Sequence, residues 1–304
     1  MTRPKKNIDR WDWVAMGATV ILVLLVAVVL LKPDFVRSPN SSKPKVAATI
    51  FPLYDLTRQI AGDRLDVILL LKPGASPHTF EPTVGEIKNL TGSQVLFTIG
   101  HGLDDWAAET AQDVGVQKLI LVDQDISLTT DEDEGSGVNP HYWLTVPHSQ
   151  LIARQIHDEL ARTFPEYQET FRQNLDQLQS KLAIADTEIR DRLAAIPTRQ
   201  IATFHDAWAY FAAEYGLEVV SVFEEFPGKE PTPQYLAEFQ QQIRARRVPV
   251  IFAEPQLSTA ALEPIANDLG VTVSTLDPIG GVDNRDSYIN LMLYNAQQIT
   301  DAIQ

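Results

Sequence analysis

At 304 residues, 44% of them hydrophobic, the chain is too long for one ordinary domain and carries material for two packed cores. Its formal net charge of −15 is uneven: residues 1–45 hold eight Lys/Arg against three Asp/Glu, a net of +5, which leaves −20 on the rest. So acidic a body is repelled by phosphate backbones, which argues against a nucleic-acid partner, and the absence of Cys excludes disulfides, thiolate metal sites and lipid attachment through an N-terminal Cys.

The first predicted element is a membrane span. Val14 to Leu31 is an 18-residue run that only Gly17 and Thr19 interrupt. Trp11 and Trp13 precede it, where aromatic rings favour the membrane interface, and Arg3, Lys5, Lys6 and Arg10 lie further upstream. No small-x-small cleavage site follows; the chain continues Leu30-Leu31-Lys32-Pro33. The expectation is an uncleaved signal anchor over 14–31 with residues 1–13 cytoplasmic. The alternative is a signal peptide cleaved at an atypical site. Residues 32–45, rich in Pro, Ser and Lys, read as a flexible tether.

Short aliphatic runs then alternate with amphipathic stretches. Val46–Phe51, Leu65–Leu71, Val95–Ile99 and Leu119–Val122 have the look of buried parallel strands, with helical patterns near 53–61, 83–91 and 103–113 between them. A second set follows at Gln200–Phe204, Glu218–Phe223, Pro249–Ala253 and Val271–Leu276. Helices near 206–215, 232–246 and 257–269 separate these, and one near 285–303 closes the chain. Such alternation implies a parallel sheet with right-handed crossovers in each half. Between the halves, Pro165 and Pro197 bracket 31 residues without Gly or Pro. Tyr167, Phe171, Leu175, Leu178, Leu182, Ala185, Ile189 and Leu193 recur at steps of three or four, one face of a single helix about 46 Å long. The expected fold class is therefore α/β: two parallel-sheet lobes, 46–164 and 198–304, joined by one long backbone helix over 165–197 and preceded by the anchor.

Chemistry concentrates at strand ends. His78 follows the second strand, His141 the fourth, His205 the first strand of the second half, and Asp277 that half's last strand. In open α/β sheets the C-terminal strand edge is where ligands bind. Two residues come from each half, so a cleft between lobes would collect three imidazoles and a carboxylate, a complete tetrahedral set for Zn²⁺. A lone His after a strand is otherwise an ordinary hydrogen-bonded residue.

The flanking residues add to this reading. Gly74-Ala-Ser-Pro-His-Thr-Phe-Glu-Pro-Thr83, Pro140-His-Tyr-Trp-Leu144, Phe204-His-Asp-Ala-Trp-Ala-Tyr-Phe211, Gly228-Lys-Glu-Pro-Thr-Pro233 and Phe252-Ala-Glu-Pro-Gln256 occur in that order. From Val46 to the C-terminus the chain resembles the solute-binding proteins of zinc and manganese ABC importers, the cluster A-I group. The resemblance implies two lobes joined by a long helix, and ligand positions at His78, His141, His205 and Asp277. It also implies an extracytoplasmic protein that delivers metal to an ABC permease with its ATPase, here expected to be a monomer held at the membrane. His at the third position, His205, is the zinc-type choice where manganese-type members tend to have Glu. Two positions depart from the family pattern: Thr145-Val-Pro-His148 stands where Asp-Pro is usual after Leu144, and Val84 where a second Pro is common. The family's His-rich loop is represented only by Asp131-Glu-Asp-Glu134, read as a solvated acidic loop.

The remaining candidates carry weaker expectations. His148 starts a helix and is at most an auxiliary ligand; His157 lies inside that helix. His101, in Gly100-His-Gly102, follows a strand and is a candidate ligand or supporting group. Glu230 and Glu254 are expected to cap, hinge or pack. The rival readings are a metallohydrolase, which would need an open zinc position and a general base, and an adhesin or sensor on the same fold with Zn²⁺, Mn²⁺ or a generic divalent ion.

Overall fold

The computed structural model describes residues 43–130, 137–224 and 228–303. The expected anchor over 14–31, nearly all of the tether and the acidic loop 131–134 lie outside them. Among the described residues no helix is long and apolar enough to cross a membrane.

The first lobe contains β1 (Lys45–Ala48), α1 (Phe51–Ala61), β2 (Asp66–Leu69), α2 (Val84–Leu90), β3 (Ser93–Thr98), α3 (Trp106–Asp113) and β4 (Lys118–Leu121). Its strands are all parallel, in the order β2-β1-β3-β4. The second lobe repeats the plan with β5 (Gln200–Thr203), α6 (Ala209–Tyr215), β6 (Glu218–Val222), α7 (Pro233–Arg246), β7 (Val250–Ala253), α8 (Leu262–Leu269) and β8 (Thr272–Thr275), ordered β6-β5-β7-β8. Between the lobes stand α4 (Val146–Thr163) and the long α5 (Gln168–Ala194), and α9 (Tyr288–Ile303) closes the chain.

Strand alternation explains why the lobes hold together. Successive strand residues point to opposite faces of a sheet. Val46, Ala48, Val95 and Phe97 join one large core cluster with Ile201, Val250 and Phe252 of the second lobe. Their neighbours turn outward: Ala47 and Leu96 pack under α2 and α3, while Ala202, Ile251 and Ala253 pack with Phe239 and Ile243 of α7. The inner faces of both sheets thus share a continuous core, and each outer face has its own.

The long helix belongs to that shared core. Phe171, Leu178, Leu182, Ala185, Ile189 and Leu193 of α5 are buried, six of the eight apolar positions read from the spacing. Twenty-seven helical residues span about 40 Å. Asn174 Nδ2 donates to Ile60 O of α1, and Gln179 and Gln150 exchange side-chain-to-backbone bonds with α4. Toward the other end, Tyr215 Oη donates to Asp186 at 2.9 Å and Arg190 pairs with Glu214, both partners in α6. The helix is therefore tied to both lobes along its length. From the chain's end, α9 packs beside it, and its first residue, Tyr288, reaches the first lobe: its N–H donates to Asp55 and its hydroxyl to the carbonyls of Trp143 and Thr145.

Both departures from the family pattern fall at helix starts. Thr145 is the N-cap of α4, its side chain accepting from His148 N–H, and Pro147 occupies the first turn. Thr83 caps α2 in a reciprocal box with Glu86, placing Val84 at the first helical position. Thr and Asp both cap well, and the first helical position tolerates Pro without requiring it, so each exchange preserves local geometry.

Candidate metal centre

His78 sits on a single 3-10 turn, Pro77–Thr79, in the loop after β2. His141 caps another, Tyr142–Leu144, in the long connection after β4. His205 lies two residues beyond β5. The three loops meet between the lobes, and one ring nitrogen from each imidazole lies within 4.8 Å of the other two. The Nε2 atom of His141 is 3.1 Å from that of His78 and 3.3 Å from that of His205. The rings are tilted or edge-on to one another, with centroids 5.0 to 5.5 Å apart.

The supporting contacts fix which nitrogen faces inward. Asn139 Nδ2 donates to the Asp206 carbonyl at 2.8 Å, so Asn139 Oδ1 is left to accept from His141 Nδ1 at 3.0 Å. On the other side His205 Nδ1 lies 2.7 Å from Glu254 Oε1, and a carboxylate accepts only. His141 therefore carries its proton on Nδ1 and turns a bare Nε2 toward the centre, while the Nδ1 of His205 has the Glu254 carboxylate as its close negative neighbour. Burial reinforces this. It pushes the His78 imidazole down to about 3, with the neighbouring His205 adding to the effect, and it drives His141 well below the usual histidine range. These two rings are neutral donors at pH 7.

The enclosed space is small. A cavity of about 10 Å³ is walled by Pro77, His78 and His141 from the first lobe and by His205, Glu254 and Ile279 from the second. That is room for about one water-sized occupant. A single ion fits it; a sugar or amino acid does not.

Asp277 stands outside the imidazole cluster. Its Oδ1 accepts from Gln256 Nε2 at 2.8 Å and from the backbone N–H groups of Ile279 and Gly280. Its Oδ2 faces Arg285 at 2.9 Å. These contacts hold the Pro278–Ile279 wall, and Trp143 Nε1 donates to Pro278 O across the lobe boundary at 2.8 Å. The other histidines have separate employment. His101 pairs with Asp123 at 3.0 Å, His148 Nδ1 bonds Tyr142 O at 3.1 Å, and His157, largely buried on α4, faces Asp158 at 2.8 Å.

Two residues of the centre were not assigned to it from the sequence. Asn139 was visible in principle, since an Asn two residues before a His can bond back to that residue's backbone and ring. Glu254 was visible only once strand order was known. In the β5–β7 pairing Thr203 opposes Phe252, and His205 and Glu254 each lie two residues further on.

Comparison with known proteins agrees with this architecture. A family model described as "ZnuA: Zinc-uptake complex component A periplasmic" matches residues 46–302. The chain belongs to that family. It is 24% identical over 285 residues to the "Zinc-binding protein AdcA" of Streptococcus pyogenes, covering 84% of this chain and 55% of that protein. The chain thus spans about half the length of that relative. It is also 26% identical over 297 residues to the "Manganese ABC transporter substrate-binding lipoprotein PsaA" of Streptococcus mitis, covering 93% and 95%. A crystal structure of ZnuA superposes with a TM-score of 0.78 at 29% identity, covering 86% of this chain and all of that one. Relatives with zinc and with manganese in their names are thus both represented.

Proposed function

We propose that this chain is the extracytoplasmic solute-binding subunit of an ABC importer, that it captures Zn²⁺ between its lobes, and that it hands the ion to a permease driven by its ATPase. The observation that carries this is the spacing of the three Nε2 atoms. Two nitrogens bound tetrahedrally to one zinc at about 2.0–2.1 Å stand about 3.3 Å apart. The observed separations from His141 are 3.1 and 3.3 Å. His78, His141 and His205 are the proposed donors. Asp277 is the proposed fourth donor through Oδ2, which has acceptor capacity beyond its contact with Arg285; without it, water completes the shell.

Imidazole donors favour Zn²⁺ over the harder Mn²⁺. Elemental analysis of the purified chain, followed by competition between Zn²⁺ and Mn²⁺, tests the assignment. Manganese held in preference to zinc would reduce it to a generic divalent-metal binder. Hydrolysis by the zinc-loaded protein would return the metallohydrolase reading, and an adhesin or sensor role would be favoured by finding no permease that accepts the metal.

The division of labour follows the lobes: 46–164 and 198–304 as the two jaws, 165–197 as the helix that holds them. We propose a monomer, anchored through residues 14–31 as a single uncleaved span with the binding region outside. The support is the unbroken apolar run without a cleavage motif. A mature N-terminus found between residues 25 and 46 would overturn the anchor and leave the metal site untouched.

A further inference from the structure

The two imidazoles whose Nδ1 is held are not held alike. His141 leans on a neutral amide, Asn139, whereas His205 leans on the carboxylate of Glu254. Both members of the second pair are buried, with side chains 3% and 1% exposed. Glu254 is also gripped by the indole of Trp208, whose Nε1 donates to the same Oε1 at 3.3 Å. His205 and Trp208 come from one loop, Glu254 from the end of the neighbouring strand β7, and the pairing register sets them side by side. Glu254 lines the metal cavity itself. The acid at Asp277, by contrast, faces Arg285.

We propose that Glu254 is the positioning residue that sets how strongly this centre holds Zn²⁺. It acts through His205: its Oε1 stands 2.7 Å from Nδ1, so a small rotation of either side chain makes the hydrogen bond that holds a proton there, and it places a carboxylate behind the imidazole that donates to the metal. This rests on the zinc-binding reading of the three histidines. Imidazoles ligate a metal in their neutral form and so bring no charge to a dication entering a buried cavity. A carboxylate hydrogen-bonded to a ligating imidazole raises its basicity and offsets part of the ion's charge, and removing such a partner costs 10- to 100-fold in metal affinity in comparable sites. The neutral Asn139 can orient His141 without contributing charge. The two rings should therefore differ in donor strength although both present Nε2.

The test uses the full chain in detergent, with Zn²⁺ affinity measured by competition against a chromophoric chelator. Glu254→Gln retains an acceptor for Nδ1–H and a similar volume but removes the charge; it should bind Zn²⁺ about 10- to 100-fold more weakly. Glu254→Asp keeps the charge with a shorter reach and should fall between wild type and the Gln variant. Nitrogen NMR of the metal-free wild type should show His205 protonated on Nδ1, a readout independent of how either variant folds. Affinity of Glu254→Gln within about threefold of wild type would overturn the proposal. So would an Asp variant as weak as the Gln variant, or a His205 proton on Nε2. His205→Ala separates the two levels of argument: if it binds Zn²⁺ as wild type does, the three-histidine centre itself falls; if it loses binding while Glu254→Gln does not, only the role of Glu254 falls.

Discussion

The Nε2 atoms of His141 and His205 lie 3.3 Å apart, and the Nδ1 of each ring is already engaged, by Asn139 and by Glu254. That separation lets a single dication lie between the two rings and take a lone pair from each once both are deprotonated there. His78 completes the group from the first lobe, and His141 is the member adjacent to both others.

Replacing any of the three with Ala should accordingly weaken Zn²⁺ binding by more than about 100-fold, since even a supporting partner is worth 10- to 100-fold. His141→Ala should be the worst, because it removes the central donor. His157→Ala, on α4 where the ring pairs with Asp158 rather than with the cluster, should change affinity little. Isothermal titration of the four variants decides it, and wild-type affinity in two of the three cluster variants would sink the assignment.

Depressed histidines also make a statement about stability. The folded-state value of His78 is about 3, against about 6.5 for an unperturbed imidazole, chiefly because the ring is buried. Between those values the unfolded chain binds the proton and the folded chain does not, so the contribution to stability is full above about 6.5 and drains away as pH falls toward 3. The slope is at most about 1.4 kcal/mol per pH unit for one such group. Urea unfolding of the metal-free chain at several pH values should show His78→Ala losing less stability than wild type across that window. Parallel profiles would contradict it.

Much of this architecture was legible because its signals are local. The run Val46–Ala48 is buried on both sheet faces, although the expected strand to Phe51 gives way there to α1, and the helix from Gln168 announces itself by steps of three and four. The three histidines were legible because each follows a strand within a distinctive motif. What was not legible depends on neighbours distant in sequence. Glu254 becomes a partner of His205 only through the β5–β7 register, and the contacts of Asp277 with Arg285 and Gln256 likewise come from the folded chain. No periodicity or motif links residue 277 to residue 285.

One glycine reports on the closeness of the lobes. Gly281, in the loop after Asp277, adopts φ +85°, and a Cβ there would come within 3.0 Å of Phe51 and Pro73 of the first lobe. Gly281→Ala should destabilise the fold by more than about 1 kcal/mol, since the backbone conformation disfavours any side chain and the added methyl must push the lobes apart. It should also lower zinc affinity, because His78 lies five residues beyond Pro73, in the loop that would shift. Thermal unfolding and zinc titration of the variant test both effects, and a stable variant with normal affinity would show that the lobes need not approach so closely.

Metal choice offers the most discriminating experiment. His205→Glu replaces a nitrogen donor with a carboxylate, which should narrow the preference for Zn²⁺ over Mn²⁺ because Mn²⁺ favours oxygen donors and higher coordination numbers. The structure adds a complication: Glu254 lies 2.7 Å from the present ring, so a carboxylate introduced at 205 would enter beside another carboxylate. Like charges at such range disfavour joint ionisation, and one of the two would be held protonated. The single variant should therefore gain less for Mn²⁺ than its chemistry allows. The double variant His205→Glu/Glu254→Gln removes the repulsion, and its amide can donate to the new carboxylate and orient it. The ratio of Zn²⁺ to Mn²⁺ affinity should fall from wild type to the single variant and fall again in the double. A double variant that recovers the wild-type zinc preference, or a single variant that widens it, would mean that donor identity at position 205 does not govern selection in this centre.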